Sequence, residues 1–267
     1  MTLLEKYGPW ALLVGGSEGI GEHLARKLGR AGINIVLVAR KAGPLAACAS
    51  KVRAECGVEV RTLELDIAGA DMLDRIRAIT DDLEIGLLVH NVGGGTPGGM
   101  IVDLPEEALL ATVLANPVAL TRLAHHFGKP MATRGHGGIL VIGSMAGNAG
   151  CYLMGVYSAS KAYNQILVEA LWAELQPRGV DVLAIPIGAA DTPARQRSGT
   201  VDSDLMPVAL PEDVAQLALD HMAEGPVLVM PHDQAYFDAA CTSSRRVAVE
   251  NQRDLIQQMI SAALGAG

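Results

Sequence analysis

Near its amino terminus, this 267-residue chain has an apolar run, then a glycine-rich turn, then a helical pattern. Trp10 to Val14 is the apolar run, GGSEGIG at Gly15 to Gly21 interrupts it, and Ile20 to Ala31 has helical periodicity. Glycine allows backbone conformations and close approaches that other residues avoid. The segment therefore predicts a strand, a tight turn and a helix, the first unit of a sheet with helices packed against it.

Further apolar runs have the length of buried strands and alternate with helical stretches along the whole chain. With the first run, they predict seven strands, at Trp10 to Val14, Ile33 to Ala39, Glu59 to Leu65, Leu87 to Asn91, Ile139 to Ile142, Asp181 to Ile185 and Val227 to Met230. Alternation of strands and helices is typical of one parallel sheet with helices on both faces. We expect an α/β fold: a single Rossmann-type, doubly wound domain over residues 1–267, with a C-terminal helical extension at about 232–267.

Composition and charge argue against several classes of function. A net charge of −8 and a pI near 5.3 do not suit a nucleic-acid-binding protein, which needs a basic face. The four cysteines lack metal-like spacing and the seven histidines include no HExxH, so we expect neither a metal site nor a disulfide framework. The amino terminus is too short and polar for a signal peptide, and no apolar run reaches about 18 residues. We therefore expect a cytoplasmic protein without a membrane span.

A second pattern is the pentapeptide YSASK at Tyr157 to Lys161, whose end residues lie one helical turn apart on the same face. A free tyrosine has a pKa near ~10 and is a poor general base at neutral pH. An ammonium about 4 Å away is worth up to roughly 4 kcal/mol at an effective dielectric near 20, or about three pKa units. Such pairs also occur on exposed helix faces. In this chain the pair predicts that Lys161 lowers the pKa of Tyr157, which then exchanges protons with a substrate.

Ser144 follows the predicted strand Ile139 to Ile142, thirteen positions before Tyr157. Ligands of parallel sheets bind beyond the carboxyl ends of the strands. We therefore expect the Ser144 hydroxyl to bind a substrate carbonyl and to orient it toward Tyr157.

The glycine-rich turn suits an anion, because backbone amides at a helix N-terminus can bind a pyrophosphate. Its G-x-x-x-G-x-G spacing is by itself a weak signal. The second strand ends in Ala39, Arg40 and Lys41, without a carboxylate for a ribose 2′-hydroxyl. Basic side chains there suit a 2′-phosphate, so the sequence favours NADP over NAD, with an ordinary solvated loop as the alternative. Asp66 is expected either to meet the adenine amino group or to form a turn.

Together and in this order, the motifs resemble those of the short-chain dehydrogenases/reductases over nearly the whole chain. The resemblance matches the family's glycine-rich turn to Gly15, Gly19 and Gly21. It implies four catalytic residues, Asn116, Ser144, Tyr157 and Lys161. Other cofactor contacts are expected from Ser17, Ile20, Ile67, Asn91, Gly188 and Thr192, in addition to Tyr157 and Lys161. The implied function is an NADP(H)-dependent oxidoreductase that interconverts a ketone and a secondary alcohol.

The role of Asn116 depends on the resemblance. It lies in the helical pattern Pro105 to Phe127 and precedes Pro117, which removes a backbone donor. An Asn-Pro pair more often marks the end of a helix. In the family, a local distortion at this asparagine frees a carbonyl that holds a water beside the lysine, and we expect a relay water here.

Two segments depart from the family pattern. HNVG at His90 to Gly93 replaces the usual Asn-Asn-Ala-Gly, and we interpret His90 as a packed structural residue rather than a proton donor. Ile187 precedes Gly188 where the family has Pro-Gly, which should loosen that loop only slightly.

Subfamily motifs point to bulky apolar ketones. The opening EKYGPWALLVGGSEGIG is similar to that of bacterial 7-beta-hydroxysteroid dehydrogenases. HNVG and the Ser-Glu-Gly-Ile-Gly turn are similar to those of 3-oxoacyl-CoA and 17-beta-hydroxysteroid reductases. A hydroxysteroid is therefore the expected substrate, and a 3-oxoacyl thioester is the alternative. A catalytically silent dinucleotide-sensing scaffold is an alternative from another class, although such proteins usually lack the tyrosine or the lysine.

Specificity is expected in Ala189 to Leu210, which lacks apolar periodicity and is rich in turn formers, as a lid would be. Arg195 and Arg197 are interpreted either as solvated or as partners of an anionic substrate tail. Four residues are expected to flank an apolar pocket or to belong to the core: Met145, Tyr152, Met154 and Met206.

The carboxyl-terminal segment carries an apolar helical face that must be buried somewhere. Its residues are Leu255, Ile256, Met259, Ile260 and Ala263. They are expected to pack on the parent domain or to cover a neighbouring subunit's site. The long helices Pro105 to Phe127 and Tyr157 to Gln176 form the usual subunit contact of the family, which implies a homodimer or homotetramer.

Overall fold

Six parallel strands of the described residues form the central sheet. The structure, a computed structural model, describes residues 1–93, 97–197 and 207–265. The strands are β1 (Trp10–Val14), β2 (Asn34–Ala39), β3 (Val60–Glu64), β4 (Ile85–His90), β5 (Gly137–Ser144) and β6 (Val180–Ile187). Their spatial order is β3-β2-β1-β4-β5-β6. The order changes direction between β1 and β4, and doubly wound sheets bind ligands at such a point, beyond the carboxyl ends of the strands.

Helices cover both faces of this sheet. They are α1 (Leu3–Tyr7), α2 (Ile20–Arg30), α3 (Ala42–Cys56), α4 (Met72–Arg77), α5 (Glu106–Val113), α6 (Ala119–Arg134), α7 (Gly155–Leu175), α8 (Pro193–Arg197), α9 (Pro211–Asp220), α10 (Gln234–Thr242) and α11 (Arg245–Gly265). A π-helical segment, Leu114–Val118, joins α5 to α6. Two short strands, β7 (Ala189–Ala190) and β8 (Val208–Ala209), pair in parallel apart from the central sheet.

The apolar run of β1 is buried along its whole length because both faces of the sheet are covered. Ala11 and Leu13 pack in the layer that contains α2, α3 and α9. Leu12 and Val14 pack in the opposite layer, against α6 and the partner strands. Each fully buried leucine contributes about 1.5–3 kcal/mol relative to an exposed one, so a charge at Leu12 would destabilise the sheet.

The prediction of a seventh strand at Val227 to Met230 is wrong. Val227 makes an isolated bridge to Ala184 of β6, and only two backbone hydrogen bonds join the segments, from Ala184 to Pro226 and from Leu228 to Ala184. Pro226 has no N–H to donate, and a short 3₁₀-helix begins at Pro231. The prolines at its two ends therefore limit this run to one bridge with β6.

The C-terminal extension forms two helices, α10 and α11, and its predicted apolar face is only partly buried. Leu255, Ile256 and Met259 are half-buried, and Ile260 is exposed. Ala263 lies among the residues whose side chains are not described. The buried positions of α11 are instead Ala248 and Gln252.

One described helix, Glu106–Arg134, is long and apolar enough to cross a membrane by length and composition. Core helices of soluble proteins share this property, and the inner face of this helix packs on the sheet through Leu120, Leu123 and Phe127. The helix combines α5, the π-helical segment and α6, so it continues past the end that was expected at Phe127.

Candidate active site

Tyr157 and Lys161 lie together on the first turns of α7, beside the carboxyl ends of β4 and β5. The Lys161 side chain is 2% exposed. Its Nζ atom donates hydrogen bonds to the Val92 carbonyl at 2.6 Å and to the Ile142 carbonyl at 3.3 Å. The same atom lies 5.7 Å from the centre of the Tyr157 ring. The pair that the pentapeptide predicted is therefore formed, with the ammonium fixed next to the phenol.

Burial controls the ionisation of both groups. Burial lowers the pKa of Lys161 to about 8. Burial also raises the pKa of the Tyr157 phenol above its ordinary value, while the Ser144 hydroxyl acts in the opposite direction. The sequence predicted a Tyr157 pKa below its ordinary value, and in the chain by itself the loss of hydration on burial raises that pKa instead. Tyr157 is protonated at neutral pH and is suited to donate a proton.

Ser144 ends β5 and faces this pair. Its backbone is extended, and its Oγ atom accepts the Ala146 N–H at 3.3 Å, which caps a short 3₁₀-helix, Met145–Gly147. A serine that caps the turn after a strand is held at the carboxyl edge of the sheet. Its hydroxyl also influences the Tyr157 pKa, which places the two groups side by side.

Gly93 lies beside Tyr157 and Lys161. A Cβ atom on Gly93 would lie 3.4 Å from Lys161 Nζ and 3.9 Å from the Tyr157 hydroxyl. A side chain at position 93 would therefore contact both Lys161 and Tyr157.

Asn116 lies in the π-helical segment, where the expected distortion is present. Pro117 lacks the N–H of a regular turn, and the helix widens there instead of ending. Asn116 is 3% exposed, and its Nδ2 atom donates to the Thr112 carbonyl at 3.1 Å. Its Oδ1 atom has no partner among the described residues. The expected helix boundary is not formed, while the distortion that the family resemblance implied is.

His90 is completely buried at the end of β4. Burial, together with the nearby Lys161 charge, lowers its pKa to about 3. The backbone of Ala115 opposes this shift only weakly, and the imidazole is therefore neutral at physiological pH. A neutral imidazole with so low a pKa is a poor proton donor, which agrees with a structural role.

The glycine-rich turn forms a tight cradle before α2. Gly15 has φ = +83°, and a Cβ atom there would lie 2.2 Å from the Asn91 carbonyl oxygen. Only glycine fits such a position. The Asn91 Nδ2 atom donates to the Gly15 carbonyl at 2.7 Å, which ties the turn to the end of β4. The other predicted contacts of the turn are mostly buried: Ser17, Ile20 and Gly21.

Gly19 is the N-cap of α2, and no side chain caps this helix. The amides of its first turn are therefore available to an anion, which is the function expected of the turn. The glycines of the turn carry no side chains, and the first turn of α2 is uncapped. Together these two features fit the pyrophosphate of a dinucleotide.

Arg40 and Lys41 follow β2 as exposed side chains, and neither forms an ion pair or hydrogen bond with a described residue. They place two exposed cations at the predicted adenosine side, and the Lys41 charge adds to the Arg197 hydrogen bonds in lowering the pKa of the Glu18 carboxyl. Asp66 accepts the Ala68 N–H at 3.0 Å, which is the turn-forming alternative. The Ile67 side chain packs in the core, so a contact from it to a cofactor would have to come from its backbone.

Thr192 and α8 lie across the glycine-rich turn. The Thr192 Oγ1 atom accepts the Arg195 N–H at 3.2 Å, and Pro193 opens the helix, a combination that favours a helix start. This local capping explains a helix in a segment without apolar periodicity. A Cβ atom on Gly19 would lie 2.8 Å from Thr192 Cγ2, so the segment after β6 contacts the turn directly.

Arg197 is exposed, but it is paired with an acidic side chain of the glycine-rich turn. Its guanidinium binds the Glu18 carboxylate through two hydrogen bonds, of 2.9 and 2.7 Å. Glu18 belongs to the glycine-rich turn. The lid segment and the cofactor turn are therefore joined by an ion pair. Arg195 has a partner of its own, and Met206 lies outside the described residues.

Three residues near the site were missed in the sequence. Asp233 is buried directly after the last apolar run, and its carboxylate binds the backbone of Gly188. Burial raises the pKa of Tyr236 to about 12, and Cys151 and Asp233 add to the rise, so the three groups lie near one another. The available signal, for Asp233 and Tyr236, was their position shortly after the apolar run Val227 to Met230.

The expected apolar pocket residues take different positions. Met145 is buried, Met154 is half-buried and Tyr152 is exposed. Over the described residues, no group of three or more histidine, cysteine, aspartate or glutamate side chains could hold a metal ion.

A family model described as short chain dehydrogenase matches residues 9–202. The chain is 30% identical over 228 residues to the 7beta-hydroxysteroid dehydrogenase of Collinsella aerofaciens, with 84% of this chain and 86% of the relative covered. It is 34% identical over 209 residues to the very-long-chain 3-oxoacyl-CoA reductase of Aspergillus clavatus, with 75% of this chain and 61% of the relative covered.

Solved structures show the same fold. A 7beta-hydroxysteroid dehydrogenase studied for its stereoselectivity superposes with a TM-score of 0.87 at 25% identity, covering 94% of this chain and 99% of that chain. A short-chain dehydrogenase from Sphingobium yanoikuyae in complex with NADPH has a TM-score of 0.78 at 34% identity, with 87% and 92% covered.

Proposed function

Because the chain belongs to the short-chain dehydrogenase family, we propose that it is an NADP(H)-dependent oxidoreductase that interconverts a ketone and a secondary alcohol on a bulky apolar substrate such as a hydroxysteroid. The observation that carries the proposal is the position of Lys161 Nζ, 5.7 Å from the centre of the Tyr157 ring and hydrogen-bonded to the ends of β4 and β5. Ser144 faces the same phenol.

In the proposed reaction, Tyr157 donates its phenolic proton to the ketone oxygen, and Ser144 holds that oxygen by a hydrogen bond. The raised pKa of Tyr157 keeps the proton on the phenol at neutral pH, which suits reduction. When bound, NADPH supplies the hydride that reduces the carbonyl carbon. The reverse sequence, with Tyr157 as the proton acceptor, oxidises the alcohol.

Lys161 has three N–H donors, and two are bound by the Val92 and Ile142 carbonyls. The third N–H can donate toward Tyr157 and the ribose of a bound nicotinamide cofactor. Asn116, in the widened turn, positions a water that returns a proton toward Lys161. The unpartnered Oδ1 atom and the distorted backbone at Asn116 support this role.

Three observations support NADP(H) as the cofactor. The glycine cradle and uncapped α2 suit a pyrophosphate. Arg40 and Lys41 are exposed at the end of β2, where the sequence has no carboxylate to bind a 2′-hydroxyl. The solved relative from Sphingobium yanoikuyae, with 34% identity, is a complex with NADPH.

The names of the relatives support the substrate class. The similarity to the bacterial 7beta-hydroxysteroid dehydrogenase supports a hydroxysteroid as the substrate, because this relative covers more of the chain than the fungal reductase does. The 34% identity to a very-long-chain 3-oxoacyl-CoA reductase favours a 3-oxoacyl thioester as the second candidate. A silent scaffold is disfavoured because Tyr157 and Lys161 are both present and paired.

A homodimer or homotetramer is supported by apolar side chains left exposed along the helix Glu106–Arg134 and on α7. They are Leu110, Val113, Leu114, Val118 and Ile166. Such a patch on adjacent helices is suited to a subunit contact. A cytoplasmic location remains a prediction.

The proposal is tested by NADPH oxidation against steroid ketones, 3-oxoacyl thioesters and small aromatic ketones, with NADH alongside. Tyr157→Phe should abolish turnover and leave NADPH affinity largely intact. Tyr163→Phe is the matched control, since Tyr163 is exposed on the same helix. Turnover retained by Tyr157→Phe would contradict the mechanism, and turnover of thioesters alone would select the second candidate.

A further inference from the structure

Asp233 is a buried carboxylate that binds the main chain of the loop after β6. The side chain is 4% exposed, and its Oδ2 atom accepts the Gly188 N–H at 3.0 Å. The nearest cationic candidate, His232 Nε2, lies 3.7 Å away. Burial of a carboxylate is costly unless donors satisfy it, so the Gly188 amide is an important partner.

The contact is specific in shape as well as in charge. A Cβ atom on Gly188 would lie 2.9 Å from Asp233 Oδ1 and 3.1 Å from Oδ2. The carboxylate therefore packs directly on the glycine, and a larger residue at 188 would displace it. Ile187 stands between this glycine and Pro186, which is still paired within β6.

Gly188 begins the segment that crosses the cofactor turn. It is followed by β7, then by Thr192, whose Cγ2 atom is packed against Gly19. A shift at Gly188 would therefore be passed to the part of the loop that is expected to contact the nicotinamide. Asp233 itself belongs to the 3₁₀-helix that opens the C-terminal extension.

We propose that Asp233 is a positioning residue: it fixes the backbone of Gly188 and thereby holds the nicotinamide-side loop against NADP(H), so that the chain's own C-terminal extension completes its cofactor site. The inference rests on the proposed function. It adds Asp233, which lies on an element outside the dinucleotide-binding motifs. Asp233 acts on the nicotinamide half of the cofactor and not on the adenosine half.

The two halves of the cofactor give a test that a merely structural role would not pass. Asp233→Ala should weaken NADPH binding by up to about a hundredfold, the limit reached if the whole loss of the charged hydrogen bond to Gly188 is passed on to the cofactor. Binding of 2′,5′-ADP, which lacks the nicotinamide half, should be unchanged. Asp233→Asn should restore most of the NADPH affinity, because its amide oxygen can accept the same Gly188 N–H.

Asp238→Ala is the matched control, since Asp238 is an exposed aspartate on α10 whose side chain accepts a hydrogen bond from Gln234. A second variant, Gly188→Ala, perturbs the same contact from the other side and should give the same selective loss. The double variant with Asp233→Ala should lose less than the sum of the two single losses, because both remove one interaction.

Fluorescence titration with NADPH and calorimetry with 2′,5′-ADP are the measurements, so the test does not depend on knowing the substrate. Equal weakening of both ligands, or unchanged NADPH affinity in Asp233→Ala and Gly188→Ala, would overturn the inference. Wild-type protein that binds 2′,5′-ADP but not NADPH would instead count against the proposed function.

Discussion

The Nζ atom of Lys161 donates a 2.6 Å hydrogen bond to the carbonyl oxygen of Val92. This bond fastens the first turns of α7 to the residue pair that follows β4, where Asn91 in turn holds the glycine-rich turn through Gly15. The proposed catalytic lysine and the cofactor cradle are thus parts of one hydrogen-bonded unit. The carbonyls also compensate in part for burying an ammonium, which otherwise disfavours its charged form.

The ionisation of Lys161 should control NADPH binding. Burial lowers the pKa of Lys161 to about 8, and a lysine is charged below its pKa and neutral above it. NADPH affinity of the wild type should therefore fall as pH rises through about 8, because the donor to the nicotinamide ribose loses its proton. Fluorescence titration across this range measures the effect.

Lys161→Met should bind NADPH more weakly and without this pH dependence, whereas Lys129→Met, at an exposed position of α6, should behave as the wild type. A pH dependence that persists in Lys161→Met would assign it to another group.

Arg40 should distinguish the two nicotinamide cofactors. Arg40→Ala should weaken NADPH by about 1.5–3 kcal/mol, the range for a hydrogen bond to a charged group, and leave NADH nearly unchanged. Arg246→Ala, on the distant α11, is the control. Binding of both cofactors is measured by fluorescence. Equal weakening of NADPH and NADH would remove Arg40 from the phosphate role.

The order of strands and helices along the chain can be predicted from local sequence patterns. The strand Trp10–Val14 has the predicted bounds, because the glycines that follow the apolar run end the strand there. The bounds of the other five strands agree with the prediction to within a few residues. The Tyr157 and Lys161 pairing follows from helical spacing alone. The seventh strand failed because flanking prolines, Pro226 and Pro231, limit its ladder.

Other features depend on tertiary contacts that local patterns do not contain. The raised pKa of Tyr157 reflects how deeply the folded chain buries the phenol. The Asp233 contact joins residues 45 positions apart. The ion pair of Arg197 with Glu18 joins residues 179 positions apart. The periodicity of apolar residues carries no information about either of these two pairings. The helix α8 has only five residues, which is too few to give a periodic pattern.

His90 should make the protein sensitive to acid. Its pKa is about 3 in the folded chain, against 6.5 as the ordinary value, so the unfolded chain takes up a proton first as pH falls. Stability is fully present above pH 6.5 and should be lost between 6.5 and about 3, by up to about 1.4 kcal/mol per pH unit from this group.

His90→Asn should flatten this part of the pH dependence of the free energy of unfolding, measured by urea denaturation at neutral and mildly acidic pH. His125→Asn, at an exposed position, should leave the slope as in the wild type. An unchanged slope in His90→Asn would show that other groups govern the acid transition.

The ion pair between Arg197 and Glu18 should slow the release of NADPH. It joins α8 to the glycine-rich turn, which is proposed to bind the pyrophosphate, with distances of 2.9 and 2.7 Å. The Arg197 side chain is nearly half exposed, so the pair is screened by salt and its effect should be modest. Arg197→Ala should raise the dissociation rate a few-fold in stopped-flow displacement, and high salt should bring the wild type toward the same rate.

Glu18→Gln removes the same pair, but it also removes a negative charge beside the phosphates, so its effect on affinity is mixed. The double variant separates the two contributions: if the pair acts as a latch, Arg197→Ala should add nothing to the dissociation rate of Glu18→Gln. Arg253→Ala, an exposed arginine of α11, controls for the loss of a positive charge. Additive effects of the two substitutions would mean that Arg197 acts on the cofactor independently of Glu18.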